Sequence, residues 1–245
     1  MGGQLKKLIL ITYVNRSGST LLLNLFSKVP QVFSCLEAEV LIEELLKNPL
    51  NLVNPTLIET LNKDVKLSAW NLPQIKFIDN PTIETRFDLF IRLLTQSRDI
   101  EGVSADVICF KGTKVFENFS NIKRLCNHNG IDCKLVRIVR DPRAIYISQR
   151  NTISPTSNKV MCNNPIDLSV HWNYWLEETS KYTDIKTIVY ENLLKNGHSE
   201  FSKLCSNLEL PFKITKNVGS VFSRLPEEHK KIHKNIDKEI RPYNK

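Results

Sequence analysis

The chain has 245 residues, of which 41% are hydrophobic and 24% are charged. This composition suits a compact globular protein and excludes the disordered and fibrous classes. No change of composition divides the chain, so we expect a single domain over residues 1–245. The formal net charge of +8 indicates anionic ligands without choosing among nucleic acid, lipid headgroups, nucleotides and glycans. No stretch approaches the roughly 20 apolar residues that a membrane-spanning helix needs.

The first predicted element is a buried strand at Leu8–Tyr13, followed by a polar loop and a helix that ends before Pro30. Short apolar runs predict three further strands, over 107–110, 135–139 and 186–190. Helical spacing predicts the other helices, over 39–47, 82–97, 118–127, 142–150, 167–182 and 200–208. Strands that alternate with helices favour right-handed βαβ units and a central parallel sheet flanked by helices. Ligands of such sheets bind at the carboxyl ends of the strands.

Two segments lack clear periodicity. Proline and asparagine punctuate residues 49–81, which predicts a loop-rich cover over the site. Residues 223–245 are charged and predict a solvated helix or a frayed C-terminal tail. His229 and His233 lie four residues apart in that tail, but the lysines between them favour a solvated surface over a metal site. We therefore expect no bound metal.

A polar loop separates the first strand from its helix. It consists of Arg16, Ser17, Gly18, Ser19 and Thr20. A loop at a helix N-terminus aims free backbone N–H groups and a positive dipole at an anion. Tyr13 stands where a Walker A loop has its first glycine, and Ser19 where it has its lysine, so NTP hydrolysis is disfavoured. The structural alternative is a capped turn, with Ser19 or Thr20 as the N-cap.

A second polar motif ends the strand predicted at 135–139. Arg140 lies at the strand end, Pro142 opens the next helix, and Ser148 follows about two helical turns later. Arg140 and Ser148 could hold the same oxygen of a ligand, which predicts a second phosphate site. An ion pair between Arg140 and Asp141 is the structural alternative.

Together the two motifs resemble those of sulfotransferases that use 3′-phosphoadenylyl sulfate (PAPS), and they are most similar to the Golgi carbohydrate branch, with tyrosylprotein sulfotransferase-like features. Two further stretches extend the resemblance through Leu210. K-G-T-K-V-F at 111–116 is similar to K-G-x-[RK]-V-F, and V-Y-E-N-L-L at 189–194 is similar to R-Y-E-D-L. The chain departs from the pattern at Gln149, where that branch has arginine, and at Asn192, where it has aspartate. The role of Arg150, which follows Gln149, is left open.

The resemblance implies a P-loop-like three-layer fold and assigns roles to individual residues. The nucleotide-binding residues it implies are Arg16, Ser17, Gly18, Ser19, Thr20, Arg140, Ser148 and Tyr190. Sulfuryl transfer needs charge stabilisation and a base for the acceptor hydroxyl. Glu37 has the family's spacing from Arg16 and is the candidate base, with Glu39 as its rival. Arg16 and Lys111 would stabilise the transferring group, with Lys114 as a weaker candidate, although Lys111 could instead be a solvated strand-end lysine.

These observations predict PAPS-dependent O-sulfation of a glycan or glycoprotein acceptor, with PAP as the product and no nucleic-acid partner. Tyrosylprotein sulfation is the alternative within the family. A non-catalytic polyanion-binding module is the alternative from another class, and a nucleotide kinase is a third. The oligomeric state is left open. The motifs imply the Golgi lumen, with a membrane anchor that is absent from this sequence, whereas the sequence as it stands gives the cytoplasm as the alternative.

The six cysteines lack the C-x-x-C spacing of zinc and redox sites, and six buried free thiols are one interpretation. Cys35 and Cys109 lie just before Glu37 and Lys111, respectively. This pair resembles a disulfide that some tyrosylprotein-type relatives place beside the active site. The resemblance therefore implies a Cys35–Cys109 disulfide and an oxidising compartment.

Overall fold

The structure, a computed structural model, describes residues 4–37, 39–47, 82–100, 102–154 and 157–212, together with the single positions 59 and 63. Most of the predicted cover over 49–81 lies outside these residues. The predicted tail over 223–245, with its two histidines, lies outside them entirely.

Five strands form one parallel sheet in the order β2-β3-β1-β4-β5. They are β1 Lys7–Tyr13, β2 Val32–Glu37, β3 Val107–Gly112, β4 Asp132–Val139 and β5 Lys186–Val189. Strand β1 pairs with β3 on one side and β4 on the other, and all seven of its residues are buried. A strand enclosed on both faces and both edges favours apolar residues, which explains the run Leu8–Ile11 at its centre.

The strands are connected by helices. The α-helices are α1 Ser19–Phe26, α2 Glu39–Ile42, α3 Ile83–Ile100, α4 Phe119–His128, α5 Pro142–Arg150, α6 Pro165–Ser180 and α7 Tyr190–Asn207. A π-helical turn at Glu43–Lys47 continues α2, and a 3₁₀ turn at Val115–Asn118 precedes α4. Two helices start with proline in the first turn behind a side-chain cap, since Asp141 accepts from the Arg143 backbone N–H and Asn164 from that of Ile166.

Aromatic contacts place the helices in two layers around the sheet. Phe26 of α1 meets Phe201 of α7 edge to face, with 5.2 Å between ring centroids. On the opposite face, Phe90 of α3 packs against Phe110 of β3 at 6.0 Å. Also on that face, Trp175 of α6 donates to Thr12 Oγ1 of β1 at 2.9 Å. The predicted three-layer α/β fold with a central parallel sheet is therefore confirmed.

Two elements differ from the sequence prediction. Strand β2 was not predicted, and the helix predicted from residue 200 begins instead at Tyr190. Asn196 has non-helical dihedral angles within α7 (φ −124°, ψ 21°), so the helix consists of two segments joined at a kink. The asparagine and glycine at 196–197 mask the first of these segments in the sequence. None of the described helices is long and apolar enough to span a membrane.

The predicted Cys35–Cys109 disulfide is wrong. All six cysteines are free thiols, and both members of this pair are buried. Ser34, the residue before Cys35, is the register partner of Cys109. The register of β2 against β3 shifts between Ser34 and Glu37, so Cys35 falls in this irregular stretch and is not the register partner of Cys109. Burial raises the pKa of both thiols.

Candidate active site

The loop after β1 has an unusual backbone that exposes donors. Arg16 and Gly18 both have positive φ, at 74° and 93°, and the Ser17 backbone N–H donates to Val14 O at 3.0 Å. Gly18 is the N-cap of α1 and provides no side-chain cap. The alternative that Ser19 or Thr20 caps this helix is therefore wrong. The first-turn N–H groups of α1 receive no hydrogen bond from the side chain of its N-cap residue, because glycine has none.

Gly18 is required by its neighbour as well as by its dihedral angles. A Cβ at this position would lie 2.3 Å from the ring of Tyr190, the first residue of α7. The same ring also contacts Arg140, whose guanidinium carbon lies 4.5 Å from the ring centroid in a cation–π contact. Tyr190 thus lies between the loop after β1 and the end of β4.

The two predicted phosphate motifs converge on Arg16. Arg16 Nε donates to Ser148 Oγ at 3.0 Å, and Arg140 Nη1 donates to the Arg16 carbonyl at 2.6 Å. Burial lowers the pKa of Arg16, and the nearby charge of Arg140 lowers it further. The positive charges of Arg16 and Arg140 repel each other, so an anion between or beside them would be stabilising.

The structural alternative for the second motif, an ion pair between Arg140 and Asp141, is wrong. Asp141 pairs instead with Arg143 at 2.6 Å, and hydrogen bonds from Arg143 lower the pKa of Asp141 to about 2. The Asp141 backbone N–H donates to the Glu191 carboxylate at 3.0 Å. Arg140 is therefore free of the neighbouring carboxylate and turned toward the loop after β1.

Two buried polar atoms at this point have no hydrogen-bond partner among the described residues. They are Ser17 Oγ and Arg140 Nε. An unpaired buried donor costs about 1–3 kcal/mol, so such atoms are rare unless a ligand satisfies them. Both belong to the predicted nucleotide-binding set, and their chemistry fits the phosphate groups of PAPS.

A second cluster lies beside the first, at the carboxyl ends of β2 and β3. Lys111 Nζ donates to Glu37 Oε1 at 3.1 Å and to Thr20 Oγ1 at 3.2 Å. The Lys111 side chain is 2% exposed and that of Glu37 is 17% exposed. Lys111 is therefore not a solvated strand-end lysine. Because Thr20 is in the first turn of α1, this cluster and the Arg16 cluster share one loop–helix junction.

Glu39, the rival candidate for the base, has a different environment. Its Oε1 accepts from Thr113 Oγ1 and from the Lys114 backbone N–H, both at 2.7 Å. A Cβ on Gly112 would lie 2.7 Å from Glu39 Cγ, so this carboxylate packs directly on the end of β3. Glu39 holds the backbone of the K-G-T-K stretch. The side chain of Lys114 is exposed.

Three site residues were not predicted from the sequence. Tyr13 donates to Glu37 Oε1 at 2.9 Å, and Gln149 Nε2 donates to the Asn15 carbonyl at 2.8 Å. The Glu191 carboxylate accepts a hydrogen bond from the Asp141 backbone N–H in the second motif. The only sequence signal for Gln149 is its departure from the family arginine, and Tyr13 reads as the last apolar residue of a strand. Arg150 and Asn192 are exposed.

The fold and the loop after β1 define a P-loop-like protein without a Walker lysine. A model of the sulfotransferase family matches residues 9–213, most of the chain, and the chain belongs to that family. It is therefore an enzyme of the PAPS-dependent sulfuryl-transfer class. Among the described residues, no group of three or more His, Cys, Asp or Glu side chains could hold a metal ion.

Several solved structures are similar to this chain. The sulfotransferase domain of the Synechococcus PCC 7002 olefin synthase is 16% identical with a TM-score of 0.53, and the match covers 87% of this chain and 76% of that one. A sulfotransferase from Alicyclobacillus acidocaldarius is 13% identical with a TM-score of 0.48, covering 98% and 97% of the two chains. Mouse sulfotransferase SULT7A1 complexed with PAP is 13% identical with a TM-score of 0.42, covering 97% and 66%. No curated protein sequence matches the chain significantly.

Proposed function

We propose that this protein transfers the sulfuryl group of PAPS to a hydroxyl of a glycan. The observation that carries the proposal is the convergence of the two phosphate motifs on Arg16. Ser148 and Arg140, 132 and 124 positions away, both contact this residue. Such an arrangement suits a nucleotide with two separate phosphate-type groups better than a single phosphate.

The residues that would hold PAPS can be named from the contacts. The first-turn N–H groups of α1 with Ser17 and Thr20 suit the 5′ phosphosulfate, while Arg140 and Ser148 suit the 3′ phosphate. Tyr190 fixes the orientation of Arg140 through the cation–π contact. When bound, PAPS supplies a sulfuryl group on a phosphosulfate anhydride, which is already activated for transfer.

Glu37 is the general base of this proposal. Its carboxylate lies at the carboxyl edge of the sheet beside the α1 N-terminus and is partly exposed, so an acceptor hydroxyl could approach it. The Lys111 ammonium, 3.1 Å from Glu37 Oε1, favours the ionised carboxylate that can accept a proton. Lys111 and Arg16 supply positive charge where negative charge develops on the oxygens during transfer.

The glycan acceptor is supported by two sequence motifs alone, K-G-T-K-V-F at 111–116 and R-D-P-R-A at 140–144. A tyrosyl acceptor is the alternative within the same chemistry, and it would use the same base and cations. The proposal of a Golgi luminal location rests on the same two motifs. The free thiols of Cys35 and Cys109 remove the disulfide argument for an oxidising compartment.

The test is incubation with sulfur-labelled PAPS and a panel of desulfated glycans, tyrosine peptides and small phenols. We expect label transfer to at least one glycan, and its loss in the Glu37→Gln variant. Transfer only to tyrosine peptides would replace the acceptor class. Polyanion binding without transfer to any acceptor would instead favour the non-catalytic module.

A further inference from the structure

Tyr13, the last residue of β1, is buried at 2% exposure, and its hydroxyl donates to Glu37 Oε1 at 2.9 Å. The β1–β3 register pairs Ile11 with Lys111. Because side chains alternate along a strand, Tyr13 lies on the same face as Lys111. The Tyr13 phenol at the end of β1 therefore contacts the candidate base. The phosphate-binding loop follows directly after this strand.

Tyr13 and Lys111 act on the same oxygen of Glu37. The Lys111 ammonium lies 3.1 Å from Oε1 and 5.0 Å from the centroid of the Tyr13 ring. Two donors on one carboxylate oxygen restrict rotation of the carboxyl group, and burial strengthens both hydrogen bonds. The orientation of the second oxygen relative to the site is thereby fixed.

The Tyr13 phenol remains a donor over the working pH range. Burial raises its pKa most, and the carboxylates of Glu37 and Glu39 raise it further, whereas a hydrogen bond with Ser19 lowers it. The charged groups facing this hydroxyl from the neighbouring described elements are Glu37 of β2, Glu39 of α2 and Lys111 of β3.

We propose that Tyr13 is a positioning residue of the sulfuryl-transfer reaction, which holds the Glu37 carboxylate in the orientation that accepts the proton of the acceptor hydroxyl. This inference rests on the proposed function of Glu37. It requires no contact between Tyr13 and either substrate.

The main test is Tyr13→Phe, which keeps the ring and removes only the hydroxyl. A hydrogen bond to a charged group contributes roughly 1.5–3 kcal/mol, so we expect kcat to fall about 10- to 100-fold. The KM for PAPS and the thermal shift by PAP should stay within about twofold, because no nucleotide-binding residue changes. With one donor lost, the acid limb of the pH–kcat profile should move to higher pH.

The matched control is Tyr182→Phe. It removes a tyrosyl hydroxyl that donates to the backbone carbonyl of Phe116 at 2.8 Å and not to a carboxylate. Its kcat and pH profile should remain those of the wild type. A double-mutant cycle then asks whether Tyr13 acts through Glu37. In the Glu37→Gln background, Tyr13→Phe should change the residual kcat by less than about threefold.

Each outcome decides between the two proposals. An active wild type in which Tyr13→Phe keeps kcat, or in which its effect persists undiminished in the Glu37→Gln background, overturns the positioning role. An inactive wild type overturns the proposed function instead. In that case the same double-mutant cycle, measured as melting temperature, tests the Tyr13–Glu37 contact. If the Tyr13 hydroxyl is bound to Glu37, Tyr13→Phe must lower the melting temperature less in the Glu37→Gln background than in the wild type.

Discussion

Lys111 Nζ lies 3.1 Å from Glu37 Oε1, although 74 positions separate the two residues in the chain. The pair lies at the carboxyl ends of two adjacent parallel strands, where β2 pairs with β3 beyond an irregularity between Ser34 and Glu37. Removing one partner of such a pair leaves the other charge buried and only partly compensated. The Thr20 hydroxyl, 3.2 Å from the same ammonium, connects the pair to the phosphate-binding loop.

The first prediction separates the two candidate bases. Glu37→Gln should lower kcat at least 100-fold, because an amide cannot accept the proton, while the thermal shift by PAP is retained. Glu39→Gln is the matched variant, and it should keep most activity because an amide oxygen still accepts from Thr113 and Lys114. Labelled-sulfate transfer and thermal shift on both variants measure this. The reverse pattern would move the base to Glu39.

The second prediction concerns the two-phosphate site. PAP should raise the melting temperature by mass action, and ATP should raise it much less. Arg140→Ala and Ser148→Ala should weaken PAP binding by about tenfold or more, since each removes a charge-assisted contact. Arg143→Ala is the control, because that exposed arginine pairs with Asp141 alone among the acids described. Equal shifts by PAP and ATP would contradict the assignment.

The third prediction uses two glycines that both have positive φ. A Cβ added at Gly18 (φ +93°) would lie 2.3 Å from the Tyr190 ring. A Cβ added at Gly130 (φ +68°) would have no other atom within 4 Å. Gly130→Ala should cost about 1 kcal/mol of unfolding free energy through backbone strain alone. Gly18→Ala should cost more and should also weaken PAP binding, because Tyr190 must move. Denaturant unfolding and PAP titration of both variants provide the comparison.

The fourth prediction is a thiol count. All six cysteines are free, and only Cys162 is partly exposed. Without reductant, the denatured protein should react with six equivalents of Ellman's reagent, and the native protein should react rapidly with about one. Four thiols in the denatured protein would restore a disulfide. Cys162→Ser should remove the fast phase.

The fifth prediction is a loss of stability at alkaline pH. Burial raises the pKa of the Cys35 and Cys109 thiols, so they remain protonated in the folded state while the unfolded chain ionises above about pH 8.5. Their contribution is complete below that pH and decreases as the pH rises, by at most about 1.4 kcal/mol per pH unit for each thiol. Urea unfolding between pH 8 and 10 measures the slope. Cys35→Ala should make it shallower, and an unchanged slope would contradict the assignment.

Four of the five strands were predictable because each contains a short run of apolar and β-branched residues. Strand β2 was missed because Val32–Glu37 lies only a short turn after the end of the first helix and ends in a carboxylate. Only its pairing with β3 identifies this segment as a strand. The first half of α7 was missed because the kink at Asn196 interrupts the helical pattern.

The sequence by itself determined the α/β class, the phosphate-binding loop, the second motif and the family, because these depend on local spacing and on residue types at strand ends. Only the tertiary structure decided which partners those residues meet. Glu37 contacts Lys111, whereas Glu39 contacts Thr113. Arg140 donates to Arg16 rather than to Asp141, and Tyr13 donates to the candidate base. The physical reason is that these contacts join residues on different strands and loops. Their distances are set by the register and twist of the whole sheet, which no local pattern encodes.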